Sequence, residues 1–279
     1  MSAMASPRSL LTKSERVAQG ALRVFAGLVA LFLVAPILAI LPLAISDGEF
    51  LVYPIRSYSW RWFEALWESD KWRIAIKNSF LIGGAAASLA TVLGTLAAIG
   101  LARAQFFGMR AVTAVLLSPL VVPIVIYAVG LYFFFAPIGL TQTYTGLVLA
   151  HAALGSPFVV VTVGASLSNF DHNLMRAAAS LGATPLYAFR RVMLPVLAPA
   201  VVTGALFAFA VSLDEVVTVL FLAAPEQRTI PREMFSGIRE SISPIIAAAS
   251  VVMVTTAVLL LIAVEWLRRR AERLRLVRS

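Results

Sequence analysis

The sequence predicts an all-α membrane protein with six transmembrane helices. Three observations lead to this fold class: 60% of the 279 residues are hydrophobic, only 13% are charged, and the mean hydropathy is +0.90. A typical soluble domain is about half apolar and about a quarter charged, so a water-soluble fold of this size could not bury so much apolar surface. The composition therefore disfavours soluble enzymes, nucleic-acid-binding domains and disordered scaffolds.

Six apolar runs are long enough to cross a bilayer, which takes about 20 helical residues. The runs are continuous and lack the alternation of barrel strands, which favours helices. The first run is longer than the roughly 7–15 apolar residues of a signal peptide, so we expect a retained helix. The predicted spans are 23–45, 76–101, 111–135, 144–167, 196–222 and 244–266.

The basic residues predict the orientation. If both termini face the cytoplasm, fifteen of the 23 Lys and Arg residues lie on the cytoplasmic side, against four acidic residues. This distribution follows the positive-inside rule and explains the net charge of +9 without a nucleic-acid partner. The predicted organisation is a cytoplasmic tail 1–22, a membrane domain 23–266 with a cytoplasmic loop at 171–195, and a basic cytoplasmic tail 267–279.

The longest stretch between predicted spans, 46–75, carries Trp60, Phe63 and Trp67 at helical spacing. Tryptophan favours the headgroup boundary of a membrane. The stripe therefore predicts an amphipathic helix along the outer surface. Contact with an external partner is a compatible alternative.

Prolines fall near the centre of two predicted spans, Pro119 and Pro123 in the third and Pro157 in the fourth. Each proline removes an intrahelical hydrogen bond, so we expect both spans to be interrupted. Broken helices at membrane depth are tolerated beside protein or a water-filled cavity. The three prolines are therefore candidates for a translocation path, and an ordinary kink is the alternative.

Three ionisable residues lie within apolar runs. Asp214 and Glu215 are near the outer end of the fifth span, where they are candidates to line the path or to pair across helices; a locally hydrogen-bonded interfacial acid is the alternative. His151 lies in the fourth span. We expect it to be a neutral hydrogen-bonding group between helices, since no chain of carboxylates accompanies it as a proton relay would require.

The loop between spans four and five predicts two short helices. The first, about 174–181, ends at Gly182, a residue suited to the left-handed conformation after a helix. The second begins with Thr184 as N-cap and Pro185 at its first position, and Leu194-Pro195 is expected to turn the chain toward span five. The pattern predicts a compact knob that could dock in a groove of another protein.

This loop resembles the Glu-Ala-Ala loop of binding-protein-dependent ABC importer permeases, whose pattern is Glu-Ala-Ala, three residues, Gly, nine residues, Ile-x-Leu-Pro. Val192 stands at the Ile position, and Arg176 replaces the Glu, which reverses a charge. The stretches SYSWRWFEAL, IKNSFLIG, GTLAAIGLAR, SLDEVVTVLF and TIPREMFSGIR are similar to the second permease of the spermidine/putrescine type. The matching residues are Ala177, Ala178, Gly182, Leu194 and Pro195.

The resemblance implies a type I ABC importer permease fold, with a five-helix core plus an N-terminal helix, in a bacterial inner membrane. It implies a second permease subunit, a cytoplasmic ABC ATPase dimer carrying ATP and Mg, and an extracytoplasmic solute-binding protein, with no cofactor in this chain. The sequence contains no G-x-x-x-x-G-K-[ST] phosphate loop. The implied ATPase-coupling residues are Ala177, Ala178, Gly182, Ala183, Leu194 and Pro195.

The sequence does not decide the substrate, and it allows two alternative functions. The acidic pair and the resemblance favour a polyamine-like cation, while opines, amino-acid-like compounds and iron complexes are alternatives. An ion-gradient-driven secondary transporter or channel would use Asp214, Glu215 and His151 as a relay. A membrane-embedded enzyme is disfavoured because the chain has no cysteine and shows no nucleophile–base pair or metal-ligand spacing, so no catalytic or metal residue is predicted.

Overall fold

The structure is a computed structural model that describes residues 13–103, 107–240 and 243–276. Within these ranges the chain is helical, with one isolated antiparallel bridge between Ser46 and Tyr58. The α-helices are α1 (Lys13–Ala44), α2 (Arg61–Glu68), α3 (Asp70–Arg103), α4 (Met109–Leu117), α5 (Ile124–Phe135), α6 (Tyr144–Ser168), α7 (Asn173–Ser180), α8 (Pro185–Ala188), α9 (Leu194–Asp214), α10 (Val217–Leu222), α11 (Ile230–Glu240) and α12 (Ile245–Leu276).

Five helical stretches of the described chain are long and apolar enough to cross a membrane: Val17–Ala44, Asp70–Ala102, Tyr144–Ser168, Pro185–Asp214 and Ile245–Arg269. The predicted third span, 111–135, is broken into α4 and α5, which meet at 109° and make the sixth span if counted together. Pro119 lies in a 3-10 turn after α4, and Pro123 is extended, with a ψ of 130°, immediately before α5. The expected interruption at these two prolines is confirmed.

The predicted interruption at Pro157 is wrong, because α6 continues through this residue. Pro157 cannot donate to the carbonyl of Ala153, four residues earlier. The hydroxyl of Ser156 bonds to the carbonyl of Ala152 (2.6 Å) and also reaches that of Ala153 (3.5 Å). A serine next to the proline thus partly replaces the missing donor, as occurs in membrane helices.

The fifth span differs from the predicted 196–222 at both ends. No turn occurs at Leu194-Pro195, since the chain is helical from Pro185 to Asp214 through a π-helical turn at Phe189–Met193. That wider turn precedes Pro195, where the missing N–H disrupts the regular hydrogen-bond ladder. At the other end α9 stops at Asp214, and Glu215 is extended with a ψ of 120°.

Helices α3, α6 and α9 pack together as the centre of the fold. Their backbones approach closely at glycines: a Cβ on Gly155 of α6 would lie 2.8 Å from the Cβ of Ala208 on α9, and a Cβ on Gly94 of α3 would lie 2.7 Å from that of Val159. Small residues therefore permit this packing in place of larger apolar side chains.

Helix α1 lies at the edge of the fold and packs mainly against α12. None of the most apolar part of α1 is buried within the chain. It begins at Lys13, ahead of the predicted start at 23, and α12 continues to Leu276, past the predicted end at 266. The rest of the predicted tails, 1–12 and 277–279, lies outside the described residues.

The bundle has two ends. Because successive spans run in opposite directions, the start of α1, the end of α12 and residues 171–195 share one end, called the elbow end. Residues 45–69 and 223–240 share the opposite end, called the distal end. Tyr144 at the start of α6 bonds to Asn78 near the start of α3 (3.0 Å), so both helices begin at the distal end and run parallel to each other.

Candidate functional site

Residues 171–195, called the elbow, make a rigid turn between α6 and α9. Gly182 follows α7 with a φ of 82°, a conformation that glycine adopts without strain. Gly182 N and Ala183 N donate to the carbonyls of Ala179 (2.9 Å) and Ala178 (3.0 Å). This pair of bonds defines a Schellman cap, so the predicted glycine turn is confirmed.

The chain becomes helical again immediately after the turn. The hydroxyl of Thr184 accepts a hydrogen bond from Tyr187 N (3.4 Å), and Pro185 occupies the first helical position. The predicted N-cap is therefore confirmed. Since the helix continues to Asp214 over 30 residues, the second half of the elbow is the beginning of a central helix and not a separate loop.

The elbow has a packed base and an exposed apolar surface. Met193 is fully buried, and Met175 and Phe189 pack against the same core cluster. Four large apolar side chains point away from the chain, with Leu181 the most exposed at 88%. Large apolar side chains exposed within one short segment are candidates for an interaction surface. Its members, called the elbow patch, are Leu174, Leu181, Leu186 and Tyr187.

The predicted coupling residues all belong to the elbow. Ala177 and Gly182 are exposed and Ala178 and Ala183 half-buried, while Leu194 and Pro195 form the first turn of α9. Arg176, which replaces the acidic residue of the family pattern, is exposed and donates to the Asn173 side chain (2.6 Å). The charge of Arg176 is thus displayed beside the elbow patch.

The acidic pair lies at a helix break near the distal end, and not inside a helix as the apolar run predicted. Asp214 is the last residue of α9 and is exposed. Glu215 is half-buried, and its carboxylate accepts a hydrogen bond from Thr218 N (2.7 Å) at the start of α10. One acid, Glu215, thus stabilises the break, and the other, Asp214, is exposed beside it.

The predicted path prolines occupy different surroundings. Pro119 is half-buried and Pro123 exposed at the α4–α5 bend, whereas Pro157 is buried inside the α3–α6–α9 packing. The structure therefore does not bring the three prolines together. The α4–α5 bend is connected to the acidic pair through α5, which packs against α10.

Three polar side chains lie on the helices next to the acidic pair. The sequence predicted a role for His151 but not for Ser212 or Tyr127. His151 is 1% exposed, and its Nδ1 lies 2.7 Å from the Ser212 hydroxyl on α9. The interhelical role expected for His151 is therefore confirmed. The Tyr127 hydroxyl donates to the carbonyl of Ala150 (2.7 Å) on α6, and Tyr127 lies on α5, which packs against α10 just after the acidic pair. A tyrosine in an otherwise apolar run was the available signal.

A hub of hydrogen bonds joins the distal ends of α3 and α6 to the loop before α11. The Asn78 amide donates to the carbonyls of Glu226 (2.8 Å) and Arg228 (3.0 Å), and its oxygen accepts from Tyr144. The Ser79 hydroxyl accepts from Ile230 N (2.8 Å). The stretch IKNSFLIG, which contains Asn78 and Ser79, indicates a resemblance in the sequence, but it gives no local signal that these two side chains join α3 to the loop before α11.

Glu233 of α11 is the buried acid of the distal end. Its carboxylate pairs with Lys71 of α3 and lies 3.4 Å from Arg228 Nη1. Arg232 donates to the Val219 carbonyl (3.3 Å); burial and the charge of Arg228 lower the pKa of its guanidinium from the ordinary value. Two basic residues, Lys71 and Arg228, thus flank the Glu233 carboxylate.

Within residues 13–103, 107–240 and 243–276, no group of three His, Cys, Asp or Glu side chains is arranged to hold a metal ion. The arrangement instead combines a rigid apolar elbow at one end with an acidic break at the other end of the same helix. A bundle of apolar helices with these features is typical of a membrane transport subunit.

The chain belongs to the family of binding-protein-dependent transport system inner membrane components, whose model matches residues 90–273. It is 33% identical over 215 residues to the spermidine/putrescine transport system permease protein PotC of Haemophilus influenzae, covering 77% of this chain and 84% of that protein. It is 31% identical over 252 residues to the putrescine transport system permease protein PotI of Escherichia coli K12, covering 88% and 89%.

The fold is also found in solved transporters. One chain of a bacterial ABC transporter involved in the import of the acidic polysaccharide alginate superposes with a TM-score of 0.71, at 16% identity, over 92% of this chain and 98% of that chain. A chain of the alginate transporter in complex with a pentasaccharide-bound periplasmic protein gives a TM-score of 0.67 at 18% identity. The protein is therefore a multi-pass inner-membrane permease subunit with the type I importer fold.

Proposed function

We propose that this chain forms half of the translocation path of an ATP-driven importer for a polyamine-like cation. A second permease subunit forms the other half, a cytoplasmic ABC ATPase dimer binds the elbow, and an extracytoplasmic binding protein delivers the solute. ATP and Mg are bound by the ATPase. The termini and the elbow end face the cytoplasm, with 1–22 and 267–279 as cytoplasmic segments and 171–195 as the coupling loop.

The observation that carries the proposal is the construction of the elbow. Its two arms join through a Schellman turn at Gly182, its base is packed, and its second arm continues without a break into α9. A partner that binds the elbow patch can therefore move α9 as a rigid body. Energy transfer from a separate ATPase subunit requires such a rigid connection.

The orientation rests on charge. The elbow end carries Arg176, Arg190, Arg191, Arg268 and Arg269, and an excess of basic residues in short loops marks the cytoplasmic side. The distal end, with Asp214 exposed and Glu215 half-buried, then receives the solute. Carboxylates suit an ammonium-bearing substrate, in accord with the names of the PotC and PotI relatives.

Gly182 provides the test. Nothing lies within 4 Å of a Cβ at this position, but its φ disfavours a branched residue. We expect Gly182→Val to abolish co-purification of the ATPase and ATP-dependent uptake, whereas Gly182→Asn, which tolerates a positive φ, retains both. Unchanged assembly and uptake in Gly182→Val would contradict the coupling role. Uptake that follows an ion gradient and ignores ATP would overturn the ATP-driven proposal.

A further inference from the structure

The segment between α1 and α3 displays a group of aromatic side chains at the distal end. Each is more than half exposed in the chain. Tryptophan and tyrosine predominate, the two residues that prefer the boundary between hydrocarbon and water. These side chains, called the collar, are Phe50, Tyr53, Tyr58, Trp60 and Trp67.

The backbone that carries the collar is closed by hydrogen bonds. Asp47 N donates to Ser57 O (3.0 Å), Ser59 N donates to Ile45 O (2.8 Å), and the Trp62 indole donates to Gly48 O (3.2 Å). The exposure of the collar is therefore a property of an ordered loop, since these bonds hold the loop shut on itself.

The loop folds back along α1. The Tyr53 hydroxyl donates to the carbonyl of Ala39 (2.7 Å), five residues before α1 ends at Ala44. At 1.5 Å per residue, this contact lies about 7.5 Å below the end of the helix. The Tyr53 hydroxyl is thus at the depth of the last turns of an apolar span whose most apolar stretch has no buried residue in the described chain.

Helix α2 has one face buried against the bundle and one face exposed. Leu66 is fully buried against the cluster that includes Trp72 and Ile230, while Trp60 and Trp67, seven residues apart, point outward. Glu64 is exposed between them, and Arg61 stacks over the Trp62 ring (4.5 Å). Glu68 of α2 is exposed as well, so the helix displays tryptophans together with charged side chains, a combination that suits the headgroup region and not the hydrocarbon.

We propose that the collar is an interfacial lipid anchor, in which these aromatic side chains lie among phospholipid headgroups and fix the height of α1 in the bilayer. The occupant is lipid because Tyr53 continues the exposed apolar surface of α1 at the depth of its last turns, and the tryptophans and tyrosines of the collar are the residues that favour the headgroup boundary. The inference does not depend on the substrate or on the ATPase.

The chain has no cysteine, which permits site-directed spin labelling of the assembled transporter in vesicles of phosphatidylethanolamine and phosphatidylglycerol, with cysteines of the other subunits replaced. Two exposed positions provide references: Phe32→Cys in the middle of α1 and Phe107→Cys in the loop before α4. We expect labels at Tyr53→Cys, Trp60→Cys and Trp67→Cys to show a ratio of oxygen to water-soluble nickel accessibility between these references.

A collar ratio equal to that of the water-exposed Phe107→Cys would overturn the proposal. Nickel accessibility that falls only when the binding protein is added would also overturn it, and would assign the collar to protein docking. A ratio equal to that of Phe32→Cys would place the collar in the hydrocarbon and contradict a headgroup anchor. Tyr58→Cys supplies a further position if one variant fails to assemble.

Discussion

Glu233 on α11 forms an ion pair with Lys71 on α3, and its side chain is only 1% exposed. Arg228 approaches the same carboxylate from the loop before α11 (3.4 Å). The side chains of Lys71 and Arg228 are partly exposed. The two bases are therefore in contact with solvent, whereas the carboxylate of Glu233 is buried. This cluster joins the distal end of α3 to the amphipathic helix that precedes the last span.

Replacing either partner should have unequal effects. We expect Lys71→Met to lower the free energy of unfolding by about 3 kcal/mol because a buried carboxylate loses a counterion. Glu233→Gln should cost less, about 1–2 kcal/mol, because solvent screens the bases that remain. Thermal unfolding in detergent measures both. Glu265→Gln, which removes an exposed pair with Arg269, is the control and should leave stability unchanged; an equal loss in all three variants would refute the special role of Glu233.

The contact between Gly155 and Ala208 predicts a sharp steric effect. A Cβ on Gly155 would lie 2.8 Å from that of Ala208, so Gly155→Ala should force α6 from α9 and cost about 1–3 kcal/mol. Gly164→Ala, on the same helix with nothing within 4 Å, should be neutral or slightly stabilising. Adding Ala208→Gly should restore the stability of Gly155→Ala, and no rescue would argue against this contact as the cause.

The hydrogen bond between His151 and Ser212 should contribute to stability between α6 and α9. Ser212→Ala leaves the buried His151 Nδ1 without its 2.7 Å partner, which we expect to cost about 1–3 kcal/mol. Ser212→Thr retains the hydroxyl and serves as the matched variant. The two unfolding midpoints, compared in the same detergent, decide the matter: identical midpoints would mean that the bond contributes nothing.

The acidic pair is expected to act on uptake and not on assembly. Glu215→Gln keeps a side-chain oxygen to accept from Thr218 N while it removes the charge. Asp214→Asn removes the exposed charge in the same way. We expect each variant to weaken the apparent affinity for spermidine or putrescine by about tenfold or more in proteoliposomes, as loss of a charge-assisted contact does. Glu64→Gln, an exposed acid of α2, is the control, and normal uptake in both path variants would exclude the pair from cation recognition.

Local rules explain why the elbow was predictable. The turn depends on Gly182, Thr184 and Pro185, whose effects extend over only a few neighbours. The spanning helices were predictable for a similar reason, because the length of an apolar run suffices to recognise a membrane helix. The fold class follows from these two kinds of signal, together with the basic residues.

The remaining features depend on contacts that a linear pattern does not contain. Residues 196–222 carry no charge except at Asp214 and Glu215 and are mostly apolar on both sides of them, so hydropathy could not show that the helix stops at Asp214. The effect of Pro157 depended on a hydroxyl of Ser156 reaching back along α6. The pairing of Glu233 with Lys71 joins residues far apart in the chain, and only the folded bundle brings them together.

The uninterrupted helix from Pro185 to Asp214 has a mechanical consequence. Thirty residues make a rod about 45 Å long, so a tilt of about 10° at one tip displaces the other by about 8 Å if the rod stays straight. A stiff helix couples its two ends in both directions. If the proposed solute binds at Asp214 and opposes this tilt, then by thermodynamic reciprocity its binding also changes the affinity of the elbow for the ATPase.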